Sequence, residues 1–272
     1  MKEFRKDFWK FVDKLKKEEH FSLSRFSDGE LRILQNKKLR IAENQIVIGD
    51  HVNNHLHIKI SKNERKEYDP EKDYWFHEEL MEAFTSNMLG YYKGLSCRCC
   101  LSGKHGMTAD EEFEWQVKLS GLDKEDEHLT WSNIFLNGNY SKFLEHILPY
   151  FWNYDIIYVC NENANFSNIP FRDNIKKVFS VGENCMINDF NLVEDIKQYI
   201  VDNNIKNHLF LFSAASLSNI LNYKLWKHCP ENTYMDIGST LNPLLGFPID
   251  RRYLEGFWAG GDKQDLDKVC IW

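Results

Sequence analysis

Asp28 and Glu30 stand on either side of Gly29, and two carboxylates on so short a turn can share one divalent cation. Mg²⁺ and similar ions take one or two protein carboxylates and fill their other positions with phosphate oxygens and water. The same segment has a second reading. Ser27-x-x-Glu30 is a capping box, opening a helix with Asp28 in its first turn, where an acid is favoured. The two readings are compatible, because capping leaves Asp28 available to an ion.

Ser213, Ala214, Ala215 and Ser216 form a second group, after an apolar run and ahead of a helical pattern. Small residues let a ligand approach the backbone, and a helix N-terminus offers N–H groups and partial positive charge to a phosphate. The plainer alternative is an N-cap supplied by Ser216. Gly238, Ser239 and Thr240 make a similar small, hydroxyl-bearing turn after the next apolar run.

Cys97, Cys99 and Cys100, with His105 nearby, raise the question of zinc. Zinc sites in sequence show paired ligands two to four residues apart and a second pair elsewhere. Cys-x-Cys-Cys does not fit that spacing and lacks a second pair, so the expectation is no zinc. His51, His55 and His57 have no acidic pattern beside them and read as surface or hydrogen-bonded histidines.

Several chemistries lose ground by absence. No G-x-G-x-x-G follows a strand, and neither G-x-x-x-x-G-K-S/T nor G-x-S-x-G occurs, which disfavours dinucleotide oxidoreductases, P-loop NTPases and α/β-hydrolases. A net charge of −7 without a basic tract argues against nucleic acid as partner. An anionic substrate must then be met locally, by a metal or a few arginines. Seven cysteines without framework spacing suggest a reducing, cytoplasmic setting. Charges interrupt every apolar run near the N-terminus, so neither a signal peptide nor a membrane span is expected. With 8 Trp, 12 Tyr and 19 Phe, aromatic faces for sugar rings are available, although core packing is their first use.

These residues need elements to position them. Phe4, Phe8, Phe11, Val12 and Leu15 recur at helical spacing, predicting an opening amphipathic helix. Residues 21–26 read as a short strand leading into a helix with Leu31, Ile33 and Leu34. The charged stretch 61–73 reads as an exposed loop, and 76–92 as helical. Four apolar strands are predicted at 155–160, 177–181, 209–212 and 233–237, with helices at 192–201 and 217–228 between them. Such alternation means βαβ units and a largely parallel sheet in one α/β, Rossmann-like domain spanning 1–272, with ligands beyond the strands' carboxyl ends.

In that order the pieces resemble a known family. Ser24-Arg25-Phe26-Ser27-Asp28-Gly29-Glu30 resembles the S-x-R-x-G/S-D-G-E signature of the GT-D-fold glycosyltransferases, formerly a family of unknown function numbered 1792. The strand ending at Cys160, Ile169-Pro170-Phe171, Val181-Gly182-Glu183-Asn184-Cys185, Ser213 to Ser216 and Tyr234-Met235-Asp236-Ile237-Gly238-Ser239 follow in the family's order.

The resemblance implies a metal-dependent hexosyl- or pentosyltransferase of polysaccharide biosynthesis. It would move a sugar from a UDP-sugar or other nucleotide-diphosphate sugar to a glycan or glycoconjugate acceptor, with inversion. It implies Mn²⁺ or Mg²⁺ on Asp28 and Glu30, with Arg25 on the diphosphate. Ser213, Ala214, Ala215, Ser216, Gly238 and Ser239 would line the donor site. Asp236 falls on the family's Asp-Ile-Gly segment and is the first choice of catalytic base, with Asp250 the second. The chain has Ser213-Ala214-Ala215 where the family usually has Gly-Pro-Thr, and no carboxylate between 239 and 247. The acceptor is expected over 61–73 and Asp250-Arg251-Arg252-Tyr253. Two other functions use the same features: a non-catalytic module that binds a sugar nucleotide or glycan, and a metal-dependent phosphohydrolase.

Overall fold

The computed structural model describes residues 2–42, 45–49, 51–54, 65–101 and 107–272. The chain opens with α1 (Phe4–Lys16), whose Phe4, Phe8, Phe11, Val12 and Leu15 are all buried, as their spacing requires. There follow β1 (Ser22–Arg25) and α2 (Asp28–Leu34), and then four short strands: β2 (Leu39–Ala42), β3 (Gln45–Ile48), β4 (His51–Asn54) and β5 (Lys66–Tyr68). Helix α3 (Tyr74–Thr85), β6 (Tyr91–Leu95), α4 (Ala109–Ser120) and β7 (Leu129–Trp131) come next. A short α5 (Tyr140–Lys142) runs on through a π-turn at Phe143–Ile147 and a 3₁₀ segment at Leu148–Asn153.

The second half alternates strand and helix: β8 (Ile156–Asn161), β9 (Ile175–Val181), α6 (Cys185–Asn188), α7 (Leu192–Asp202), β10 (Leu209–Phe212), α8 (Leu217–His228) and β11 (Thr233–Asp236). Two short helices, α9 (Arg252–Trp258) and α10 (Gln264–Asp267), precede the last residues.

Seven strands form one sheet in the order β7-β6-β1-β11-β10-β8-β9, and every pairing is parallel. A parallel sheet is covered on both faces, so its strands read as unbroken apolar runs. Ile156 to Cys160 and Leu209 to Phe212 are buried at every position. Helix α8 packs on β1 and β11, with α3 and α7 beside it. The expected α/β fold with a parallel sheet is the observed one.

Two expectations need correction. The helix foreseen over 76–92 ends at Thr85, and Tyr91 and Tyr92 start β6. The stretch 61–73 is not simply an exposed loop: β5 pairs antiparallel with β2, placing Glu67 opposite Arg40 as an ion pair at 3.0 Å and burying Tyr68. Glu67 and Arg40 share the face opposite the one that Lys66 shares with Leu39 and Ile41. Residues 61–64 of that stretch lie outside the described residues.

A second sheet, β4-β3-β2-β5, is antiparallel throughout. Its register sets Leu39 opposite Ile48 and Ile41 opposite Ile46, so these four share one face.

Helices α2 and α4 are joined by a buried ion pair between Arg32 Nη1 and Glu112 Oε1 at 2.6 Å. Gln35 bridges the two, accepting from Arg32 at 2.9 Å and donating to Glu112 at 3.2 Å. Arg32→Met would leave the Glu112 charge buried without its partner. Denaturant unfolding is expected to show a loss of about 3–5 kcal/mol, mostly regained in Arg32→Met/Glu112→Leu, where no charge is stranded.

Candidate active site

Each strand of the parallel sheet ends at one pocket of about 720 Å³. Its floor comes from residues at or just after the strands' carboxyl ends: Arg25, Ser96, Ser132, Asp236, Ser213, Asn161 and Val181. The apolar face of the small sheet, Leu39, Ile41, Ile46 and Ile48, forms a wall. Asp28 and Asp236 both line this one pocket, as the predicted site requires.

The turn after β1 carries out its capping role. Ser27 N–H donates to Glu30 Oε2 at 2.9 Å, the half of the capping box that closes back on the N-cap. The other oxygen, Oε1, accepts from Ser216 Oγ at 2.6 Å. This corrects the expectation that Ser216 caps its own helix: it occupies the N-cap position of α8, but its hydroxyl is spent on Glu30. The two groups read separately in the sequence are thus in direct contact. Burial raises the Glu30 carboxyl above its usual range, opposed by the Ser216 bond and by the charge of Lys66. Asp28 is exposed, and its Oδ1 accepts from Gly29 N–H at 3.1 Å.

Arg25 is buried at the end of β1, donating to Asp236 Oδ1 and to the Ser132 carbonyl, each at 3.2 Å. Its Nε–H has no partner among the described residues. Asp236 Oδ1 also accepts from Gly238 N–H at 3.0 Å. Burial raises the Asp236 carboxyl, with Arg25 pulling the other way. Gly238 has φ +50°, and a Cβ there would collide with Arg25 Nη2. Gly238→Ala therefore meets both a left-handed backbone, about 1–2 kcal/mol for an L-residue, and a displaced guanidinium. Thermal unfolding is expected to fall, together with the affinity of any anion held by Arg25.

Ser213 Oγ donates to the Gly238 carbonyl at 2.7 Å, tying the turn after β10 to the turn after β11. Ala215 adopts φ +48°, which brings the chain sharply into α8. Ala214, Ala215 and Ser216 line the pocket at the start of α8, where the Ser218 and Asn219 N–H groups donate to the Ala215 and Ser216 carbonyls at 3.0 and 3.2 Å and Ala214 N–H donates to Ser218 Oγ at 3.0 Å.

The segment Asp250-Arg251-Arg252-Tyr253 reaches the same pocket, as do Arg65 and Lys66 from 61–73. Arg251 and Arg252 are exposed. Of this segment, where the acceptor was expected, Tyr253 offers no open ring. It is buried against Tyr140, with centroids 4.8 Å apart, and its hydroxyl meets Ser239 Oγ at 2.8 Å. Asp250 Oδ1 is buried with no hydrogen-bond partner among the described residues, and Arg251 Nε stands 3.8 Å away.

Sequence reasoning missed the apolar wall and Arg32 as pocket residues. The alternation Leu39-Arg40-Ile41 and the β-branched run Ile46-Val47-Ile48 were the strand signals that could have found the wall. Of the three histidines considered together, His55 and His57 lie outside the described residues and His51 is placed in β4 by its backbone. Among the described residues no helix is long and apolar enough to cross a membrane.

A parallel sheet covered by helices on both faces, with a pocket across its carboxyl edge, defines an open α/β fold. Two solved structures resemble the whole arrangement. One is described as the highly conserved domain of unknown function 1792, with a distinct glycosyltransferase fold. It matches with a TM-score of 0.52 and 10% identity, over 93% of this chain and 81% of its own. The other, a selenomethionine-substituted structure of domain of unknown function 1792, matches with a TM-score of 0.52 and 13% identity over the same shares. At such identity the likeness is one of fold, and this chain has that glycosyltransferase fold. No family model and no curated protein matches the sequence.

Proposed function

We propose that this protein transfers a sugar from a nucleotide-diphosphate sugar, a UDP-sugar in the first instance, to a glycan acceptor. The observation that carries this reading is the composition of one pocket. It gathers Asp28 and Glu30, the N-terminus of α8, and the cations Arg25, Arg65 and Lys66 at the carboxyl edge of a glycosyltransferase fold.

Hard carboxylate oxygens suit Mn²⁺ or Mg²⁺. Asp28 is exposed in the pocket, and each Glu30 oxygen retains a lone pair after its one hydrogen bond. A cation held there would neutralise charge on the departing diphosphate. The Arg25 Nε–H would supply a further donor for phosphate oxygens, and the partial positive charge at the start of α8 would favour them. The Leu39, Ile41, Ile46 and Ile48 wall offers an apolar surface to a base or sugar face.

Inverting displacement needs a carboxylate to take the acceptor proton. Asp236 is engaged by Arg25 and by Gly238 N–H, which suits a residue that positions Arg25. Asp250, with an oxygen that accepts no such bond, is the better base.

The test is incubation with a panel of UDP- and GDP-sugars and Mn²⁺. Release of nucleoside diphosphate with sugar transfer or slow hydrolysis supports the proposal. Inorganic phosphate as the product would replace it with a phosphohydrolase, and binding without turnover would replace it with a binding module.

A further inference from the structure

Cys97, Cys99 and Cys100 follow β6 on a tight turn closed by Cys100 N–H to the Cys97 carbonyl at 3.0 Å. The fold brings Cys270, from beyond α10, to the same place. The four sulfur atoms all lie within 4.8 Å of one another, and Cys97 Sγ is 3.4 Å from Cys99 Sγ. Four thiolates around Zn²⁺ at about 2.3 Å occupy corners about 3.8 Å apart, so these sulfurs already stand near tetrahedral separations.

The surroundings match what thiolate ligands require. Asn133 Nδ2 donates to Cys100 Sγ at 3.2 Å, Asn137 Nδ2 to Cys270 Sγ at 3.6 Å, and Ile271 N–H to Cys99 Sγ at 3.4 Å. Donors of this kind orient the ligands and spread their negative charge. Lys268, bonded to the Cys99 carbonyl at 3.3 Å, adds a cation beside the cluster.

The geometry points to a structural zinc site, one Zn²⁺ bound by Cys97, Cys99, Cys100 and Cys270. The local spacing that argued against zinc could not include the fourth sulfur, because Cys270 lies 170 residues beyond Cys100. Four protein sulfurs close the coordination sphere and leave no position for water or substrate, as in structural sites. On binding, each thiol still protonated gives its proton to solvent as its sulfur–zinc bond forms, with no redox change. The ion would staple the last residues to the turn after β6. There Trp272 packs on Trp131 at 4.8 Å and on Phe113 at 5.2 Å. It would also fix Asn133 and Asn137, which line the substrate pocket. This site is distinct from Asp28 and Glu30 and does not depend on the transferase reading.

The experiment is elemental analysis of the full chain purified without chelator and under reducing conditions. One zinc per chain is expected, reduced at least tenfold in Cys99→Ser/Cys270→Ser and unchanged in Cys229→Ser and Asp28→Asn. Replacing zinc with Co²⁺ in the unaltered chain should give the intense near-ultraviolet sulfur-to-cobalt absorption of a tetrathiolate. Chelation should lower the thermal midpoint of the unaltered chain, so the result does not rest on a variant that must fold. Zinc-supplemented protein holding no zinc would overturn the proposal. So would disulfides among these four cysteines in freshly purified protein, iron in place of zinc, or full zinc content in the double variant.

Discussion

Asp28→Asn is expected to yield a folded protein whose turnover is reduced by roughly 10²–10³-fold, the usual loss when a group that stabilises developing charge is removed. The structural cost is small. Asp28 is exposed, and its contact through Oδ1 is with its own neighbour's N–H at 3.1 Å. Loss of its charge from the first turn of α2 should lower stability by only about 0.3–1 kcal/mol. Capping continues through Ser27 and Glu30, which the substitution does not touch. The two roles read from this turn therefore separate in one variant: unfolding reports the cap, and Mn²⁺-dependent nucleotide release reports the metal. A folded Asp28→Asn protein with near-normal, metal-dependent transfer would remove Asp28 from the cation site.

Asp250→Asn is the second large effect, a drop in turnover of roughly 10²–10⁴-fold, the usual range for loss of a general base. The donor Michaelis constant should change little, because Asp250 is assigned to the acceptor proton and not to the diphosphate. Asp236→Asn should behave differently. It removes the carboxylate that faces the buried Arg25 guanidinium at 3.2 Å, so unfolding measurements should show a stability loss approaching the about 3–5 kcal/mol of a broken buried pair. If Asp250→Asn keeps normal turnover while Asp236→Asn folds and is inactive, the two assignments must be exchanged.

The sequence by itself determined the elements whose signal is local. In β8, β10 and β11 every buried position before the closing Asp236 is apolar or lightly polar, so continuous runs such as Leu-Phe-Leu-Phe announced strands that are covered on both faces. The five apolar residues of α1 repeat with the helix period, and Ser27-x-x-Glu30 contains its own cap. Asp28, Glu30, Ser213 to Ser216, Asp236 and Gly238 were all legible as residues of a carboxyl edge, because each directly follows or ends a readable strand.

Only the tertiary structure decided the rest. Strand β6 includes Lys93 and Gly94, which break the apolar run. Lys93 is buried because Phe84 O, Asn87 and Ser120 O accept from it. Gly94 is needed because a Cβ there would meet Ser132 Cα at 2.9 Å. Helix-like spacing across Tyr91 and Tyr92 was therefore overruled by partners distant in the chain. The same holds for Ser216, whose hydroxyl is placed on Glu30 from 186 residues away, and for the Arg25–Asp236 pair. Cys270 joins Cys97, Cys99 and Cys100 only when the last residues fold back. Periodicity and capping record neighbours along a helix or strand. Ion pairs, hydroxyl partners and sulfur clusters are made by strand order, and no spacing in the sequence encodes it.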